Sequence, residues 1–190
     1  MTPADSTPLW ESILNNGSVA AFVGAFAAYF LVVLTDQRRR RKSKRQLRLL
    51  ARDNAQHART KLSTVENLLG LLSENKFVPA PTMAFPTEAI KVKQLEVIDL
   101  LSSEENRSLD AVLYWMVAID GLLHDVYDLA RELRAAADSN ANDSIRLKLA
   151  ARIRVNLEDT KRNLEYLAGM LEAYAAGDFK KILNFRYQIG

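Results

Sequence analysis

Cysteine is absent from this 190-residue chain, which removes thiol nucleophiles, disulfides and Cys-based zinc sites from consideration. Histidine occurs only twice, at His57 and His124, so imidazole chemistry has little to draw on. The seven glycines and five prolines form neither a Gly-rich phosphate loop nor a Gly-x-Ser-x-Gly elbow. Strand patterning is nearly missing as well. The alternation in IKVKQLEV (90–97) stands alone, and one isolated strand has no partner, so a helix is expected there and a nucleotide-binding sheet is excluded. No Lys or Arg precedes Arg38, while Asp5 and Glu11 are acidic. A secretory signal peptide needs a basic n-region, so cleavage is not expected.

Against these absences stands one uncharged run. Val19–Leu34 (VAAFVGAFAAYFLVVL) holds sixteen residues, nine of them Val, Phe or Leu, each favouring bilayer insertion by about 0.3–0.6 kcal/mol. Extended back to Ile13, the run reaches about 33 Å as a helix, enough for a hydrocarbon core of about 30 Å. It is apolar all round rather than amphipathic, which fits a span better than the core helix of a soluble domain. Trp10 would anchor it at the outer interface.

Arg38, Arg39, Arg40, Arg41, Lys42, Lys44 and Arg45 follow the run, against no cation on its other flank. The positive-inside bias then places the N-terminus outside and the remainder in the cytoplasm, with these seven cations facing anionic headgroups. Residues 1–12 read as a short external tail, Pro- and polar-rich over MTPADSTPL, 13–34 as the transmembrane helix, 35–46 as a basic juxtamembrane segment and 47–190 as a cytoplasmic helical domain.

The sequence pI of about 9.2 does not carry over to that domain. With the seven juxtamembrane cations and the three acids before residue 46 set aside, 19 Lys and Arg face 20 Asp and Glu. No basic face with interleaved aromatics is present, so nucleic acid is not an expected partner.

Three apolar seams at three- and four-residue steps run through 47–190. The first takes in Leu47, Ala51, Ala55, Ala58, Leu62, Val65, Leu69 and Leu72 of a helix expected over about 46–75. The second runs Leu109, Val112, Met116, Ile119, Leu123, Val126, Ala130, Leu133 and Ala137, announced by a capping box of Ser102 and Glu105. The third runs Ile153, Leu157, Thr160, Leu164, Leu167, Leu171 and Tyr174. The turn DSNAN (138–142) joins the second and third into an antiparallel hairpin over 103–176. Phe77–Pro86 (FVPAPTMAFP) carries three prolines and must be a loop, whose Phe77, Val78, Met83 and Phe85 are expected to pack back on the bundle. Thr87 is the expected N-cap of a short helix through Leu101. The fold class is therefore all-α: one N-terminal transmembrane helix plus a cytoplasmic antiparallel three- or four-helix bundle.

Candidate functional residues fall into three sets. Gly17, Ala21 and Ala25, and Ala20, Gly24 and Ala28, form small-xxx-small rows that favour association of spans, beside a bulky row of Phe22, Phe26 and Phe30. The seven cations form the membrane-surface set. Phe179, Ile182 and Phe185, in the aromatic and basic tail 177–190 after Ala175-Ala176-Gly177, can dock a partner, cap the bundle, or lie on the membrane surface beside Lys180 and Lys181. Tyr114 and Trp115 are expected in helix–helix packing. Asp120, His124 and Asp128 share one helical face that a metal could use if a facing helix supplied a ligand. Yet the Glu-x-x-His pattern of di-iron bundles is missing, and no catalytic residue, metal or cofactor is expected.

In layout the chain resembles uncharacterised single-pass bacterial inner-membrane proteins: a span starting after a Trp, an Arg-rich stop, a Pro-rich loop, the Thr87-Glu88-Ala89 helix start and a helical hairpin. The resemblance implies a membrane address and no activity. The function expected is a membrane-anchored, non-enzymatic scaffold, adaptor or sensor subunit with an unidentified cytoplasmic protein partner, membrane lipids and further copies of itself as partners. The alternatives are a self-assembling single-span effector of defence or toxin type and, third, a metal-dependent phosphohydrolase of the HD type.

Overall fold

The computed structural model describes residues 17–73, 84–139 and 143–185, with side chains described from Ala21 to Asn184 within them. The external tail, Trp10, most of the Pro-rich loop, residues 140–142 of the expected turn and the end of the tail lie outside the described residues. All described elements are helical: α1 (Gly17–Ser73), α2 (Thr87–Val97) with a 3-10 turn (Ile98–Leu100), α3 (Ser103–Asp138), α4 (Asp143–Ala176) and α5 (Phe179–Phe185). The chain divides into two compact units, Met1–Lys42 and Ser43–Gly190, and the division falls inside α1.

The first unit contains one helix long and apolar enough to cross a membrane, and none of its apolar window is buried. Ala21 to Val32 are exposed without exception. No Asp, Glu, Lys or Arg occurs from Gly17 to Thr35, about 28 Å of helix. Thr35 donates its hydroxyl to the Leu31 carbonyl at 2.7 Å, so the polar group at the end of the run is satisfied internally.

The second unit is a bundle, and its ion pairs give the helix directions. Lys44 meets Glu105 and Lys61 meets Asp120, so α1 and α3 run in parallel. Arg59 meets Glu172 and Lys161 meets Glu66, so α1 and α4 are antiparallel. Lys161 is held above the usual lysine value, chiefly by its hydrogen bond to Glu66 and then by that carboxylate's charge. Phe85 sits beside Asp120 and Gln94 beside Asn106, so α2 runs down against α3. The result is an up-down-up-down arrangement in which α2 is the short member.

All three seams face the core. Leu47, Ala51, Ala55, Ala58, Val65 and Leu72 are buried, with Leu62 and Leu69 packed against them. The second seam is buried from Leu109 to Ala130, Leu133 is half-buried and Ala137 is exposed. Every residue of the third seam is buried.

The helix ends show where local signals hold and where they do not. Ser102 accepts from the Glu105 amide at 3.0 Å, one half of the expected capping box. Thr87, by contrast, is the first helical residue. Pro86 takes the N-cap place with no side-chain cap, and its carbonyl accepts from Ile90. Helix α4 ends in a Schellman motif: Gly177 has φ +83°, its amide bonds the Tyr174 carbonyl and the Asp178 amide bonds that of Ala173. Asp178 then accepts from the Lys181 amide, which starts α5.

Candidate interaction surface

Helices α2 and α3 leave a groove between them on the outside of the bundle. Gln94, itself buried, sets their spacing by donating to Asn106 Oδ1 at 2.7 Å and to Asp110 Oδ1 at 2.9 Å. Beyond that bridge the surface is apolar. Leu113 lies at the floor, and Leu95, Tyr114 and Val117 stand around it at 69, 68 and 55% exposure. The hollow measures about 500 Å³, with Lys91 on the α2 wall and Asp110 on the α3 wall. A second hollow of about 410 Å³ adjoins the first along α3, sharing Asp110 and Tyr114 with it and lined further by Arg107, Ala111 and Trp115. Asp110 and Tyr114 thus border both depressions. Of the two aromatics expected in helix–helix packing, only Trp115, half-buried against the core and edge-on to Tyr114 at 5.9 Å, fills that role.

Two polar clusters hold the bundle behind this surface. In the first, Glu105 is almost fully buried and meets Lys44 at 2.6 Å and Arg48 at 3.5 Å. Arg48 also lies over the Phe179 ring at 5.8 Å, so one cation ties α1 to α3 and α5. Tyr174 packs edge-on against Phe179 at 5.4 Å. Burial pushes its phenol well above the usual tyrosine value, and the charge of Glu105 adds to that. In the second cluster Asp120 accepts from Lys61 at 3.1 Å and from the Phe85 amide at 2.8 Å. The Lys61 ammonium sits 4.5 Å over the Phe85 ring, and His57 meets that ring edge-on at 5.3 Å. This cluster pins the end of the Pro-rich segment, with Phe85 in the core.

The residues singled out from sequence fall as follows. Ala21, Gly24, Ala25 and Ala28 are exposed on the first unit, and a Cβ added at Gly24 would meet nothing; the side chains at 17 and 20 lie outside the described residues. Of the seven cations, Arg38, Arg39, Arg41, Lys42 and Arg45 are exposed, and Arg40 pairs with Asp36 at 2.8 Å. Lys44 is drawn into the bundle by Glu105 and by the Leu100 carbonyl at 3.2 Å. Ile182 is completely buried and Phe179 half-buried. Both side chains are engaged by the bundle itself; the Phe185 side chain lies outside the described residues. Asp120 is occupied by Lys61 and Phe85, whereas His124 is exposed and meets Asp128 at 3.5 Å. Among the described residues no three His, Cys, Asp or Glu side chains are grouped as a metal ion requires.

Sequence reasoning missed Lys61 and the groove. Lys61 occupies a seam position between Ala58 and Val65, and a charge on a seam is a signal that a partner charge is buried with it. Nothing local marks the groove, because its walls come from two helices that tertiary packing sets side by side. No protein-family model, no curated protein and no solved structure matches this chain.

Proposed function

We propose that this chain is a single-pass membrane protein that works by protein association, as a scaffold, adaptor or sensor subunit, without catalysis. Its N-terminus lies outside and its bundle in the cytoplasm, in the bacterial inner-membrane setting that the layout resemblance implies. The exposed apolar face from Ala21 to Leu34 supports the membrane address, since that much uncovered apolar surface needs lipid or protein around it. The exposed cations at 38, 39, 41 and 42 support the orientation. The observation that carries the association reading is the second uncovered apolar surface, Leu95, Tyr114 and Val117, on a bundle whose charges are otherwise balanced.

The test is extraction of native membranes in mild detergent, isolation through a C-terminal tag, and measurement of the mass and composition of what is recovered. A complex heavier than one chain of 21.4 kDa is expected. Recovery of the bare monomer overturns the reading.

A self-assembling effector is the second reading. It is favoured by Gly24, whose surroundings are open so that its small size serves nothing within the chain. Gly24→Ile then abolishes both oligomer and activity; an unchanged oligomer contradicts it.

A further inference from the structure

We infer that the outer face of the first half of α4 docks an acidic amphipathic helix of another protein. This rests on the association reading above and gives the partner its chemistry, at residues separate from those of the α2–α3 groove.

Charge is unevenly spread over a bundle that balances as a whole. Residues 131–157, the end of α3 and the start of α4, hold six Lys and Arg against three Asp and Glu, while the rest of 46–190 holds thirteen against seventeen. From Ser144 to Leu157 there is no acid at all, and there are four cations, Arg146, Lys148, Arg152 and Arg154. Asp143 meets Arg146 at 3.0 Å, and Arg154 reaches the Ser73 hydroxyl at 3.4 Å. Lys148 and Arg152 are exposed and form no ion pair among the described residues. They stand one helical turn apart with no acid three or four residues from either, so the helix carries an unrelieved repulsion. Carboxylates on a partner would remove it.

The apolar side chains between these cations are arranged for a helix. Leu147, Ala151 and Val155 recur every four residues and are all exposed, Leu147 to 70% and Val155 to 55%. Such a row is the ridge that one helix presents to the groove of another, and the small Ala151 at its centre admits close approach. At 3.6 residues per turn, Lys148 and Arg152 border the row on one side and Arg154 on the other. An apolar row between charged edges selects a partner of matching pattern: the row supplies contact and the edges demand opposite charge.

Other anionic surfaces match only in part. A bilayer takes up a broad apolar face with large side chains, not a row one residue wide. Nucleic acid has no use for Leu147 and Val155, and residues 131–157 contain no aromatic on which a base could stack. A second copy meeting this face with its own would bring the same cations, which repel.

The test uses the full-length chain with the photo-cross-linker benzoylphenylalanine in place of Leu147, which keeps the row apolar, irradiated in native membranes. Mass spectrometry of the adduct is expected to place the link in one other protein, within a segment that has apolar residues at three- and four-residue steps and a net negative charge. Lys148→Glu combined with Arg152→Glu is expected to cut the adduct about fivefold, the worth of two exposed ion pairs. Lys180→Glu combined with Lys181→Glu, exposed cations on α5, is expected to leave it unchanged. Circular dichroism reports that each variant is folded.

A folded chain that gives no adduct overturns the inference, as does a link to lipid, to nucleic acid or to a second copy. So does a link to a segment without net negative charge, or a yield that the α4 reversal leaves intact or the α5 reversal cuts equally. If detergent extraction still gives a complex heavier than one chain, only the assignment of α4 falls. A bare monomer in that extraction defeats the association reading itself.

Discussion

Glu105 performs two tasks. Its amide closes the start of α3 on Ser102, and its carboxylate, almost fully buried, holds Lys44 and Arg48 of α1. Glu105→Gln keeps the shape and removes the charge. Breaking a buried pair costs about 3–5 kcal/mol when the remaining charge is sealed from water. Lys44 and Arg48 retain 28 and 39% side-chain exposure, which screens the loss. Urea denaturation of the full-length chain in detergent should therefore show a loss of about 2–3 kcal/mol, with no loss in Glu105→Asp only if the shorter arm still reaches both cations.

Tyr174 gives a pH dependence whose sign follows from its raised phenol. The unfolded chain releases that proton near pH 10 while the folded chain holds it. Tyr174 therefore stabilises fully below about pH 10, and the contribution fades as pH rises through the folded value. The hydroxyl is buried with no hydrogen-bond partner among the described residues, so Tyr174→Phe should be near neutral at pH 7 and should flatten the fall in stability above about pH 10. Denaturation midpoints at pH 7 and 10.5 check both halves. Of this region, the sequence revealed the Ser102 cap at the start of α3 and the core position of Tyr174. It did not reveal the partners of the Glu105 carboxylate, Lys44 and Arg48, which lie on α1 and far from α3 in the chain.

At the scale of elements, the long seams were legible because each repeats a simple period over many residues, and a helix of that length can bury only one stripe. The short elements were not. Helix α2 begins at Thr87 rather than after it, because the Pro86 carbonyl is already positioned to accept from Ile90. The tail held Asp178 three residues before Lys181, a start signal for α5 that is easily masked by its basic and aromatic neighbours. Two substitutions separate the joint from what it delivers. Gly177→Ala meets only Arg48 atoms at 3.6 Å and beyond, so its cost is the left-handed backbone alone, about 1–2 kcal/mol. Ile182→Ala empties a fully buried site and should cost about 2–4 kcal/mol. Thermal melts that rank the two the other way would remove α5 from the core.

For the whole molecule, the division at Lys42 and Ser43 separates two kinds of surface. The first unit is an apolar helix with cations at its end; the second is a charge-balanced bundle with a packed interior. That division is legible in the sequence, because an uncharged run and a shift in composition are both local properties of the chain. The groove, in contrast, depends on how α2 packs beside α3, a property of tertiary packing that no local pattern encodes. The proposed function requires the chain to be held at a bilayer by the first unit. The most direct measurement is an alkaline carbonate wash of membranes bearing the full-length chain. Retention in the membrane pellet is the predicted result, with release when Phe22, Phe26 and Phe30 are all changed to Asp. Release of the unaltered chain into the wash would contradict the account.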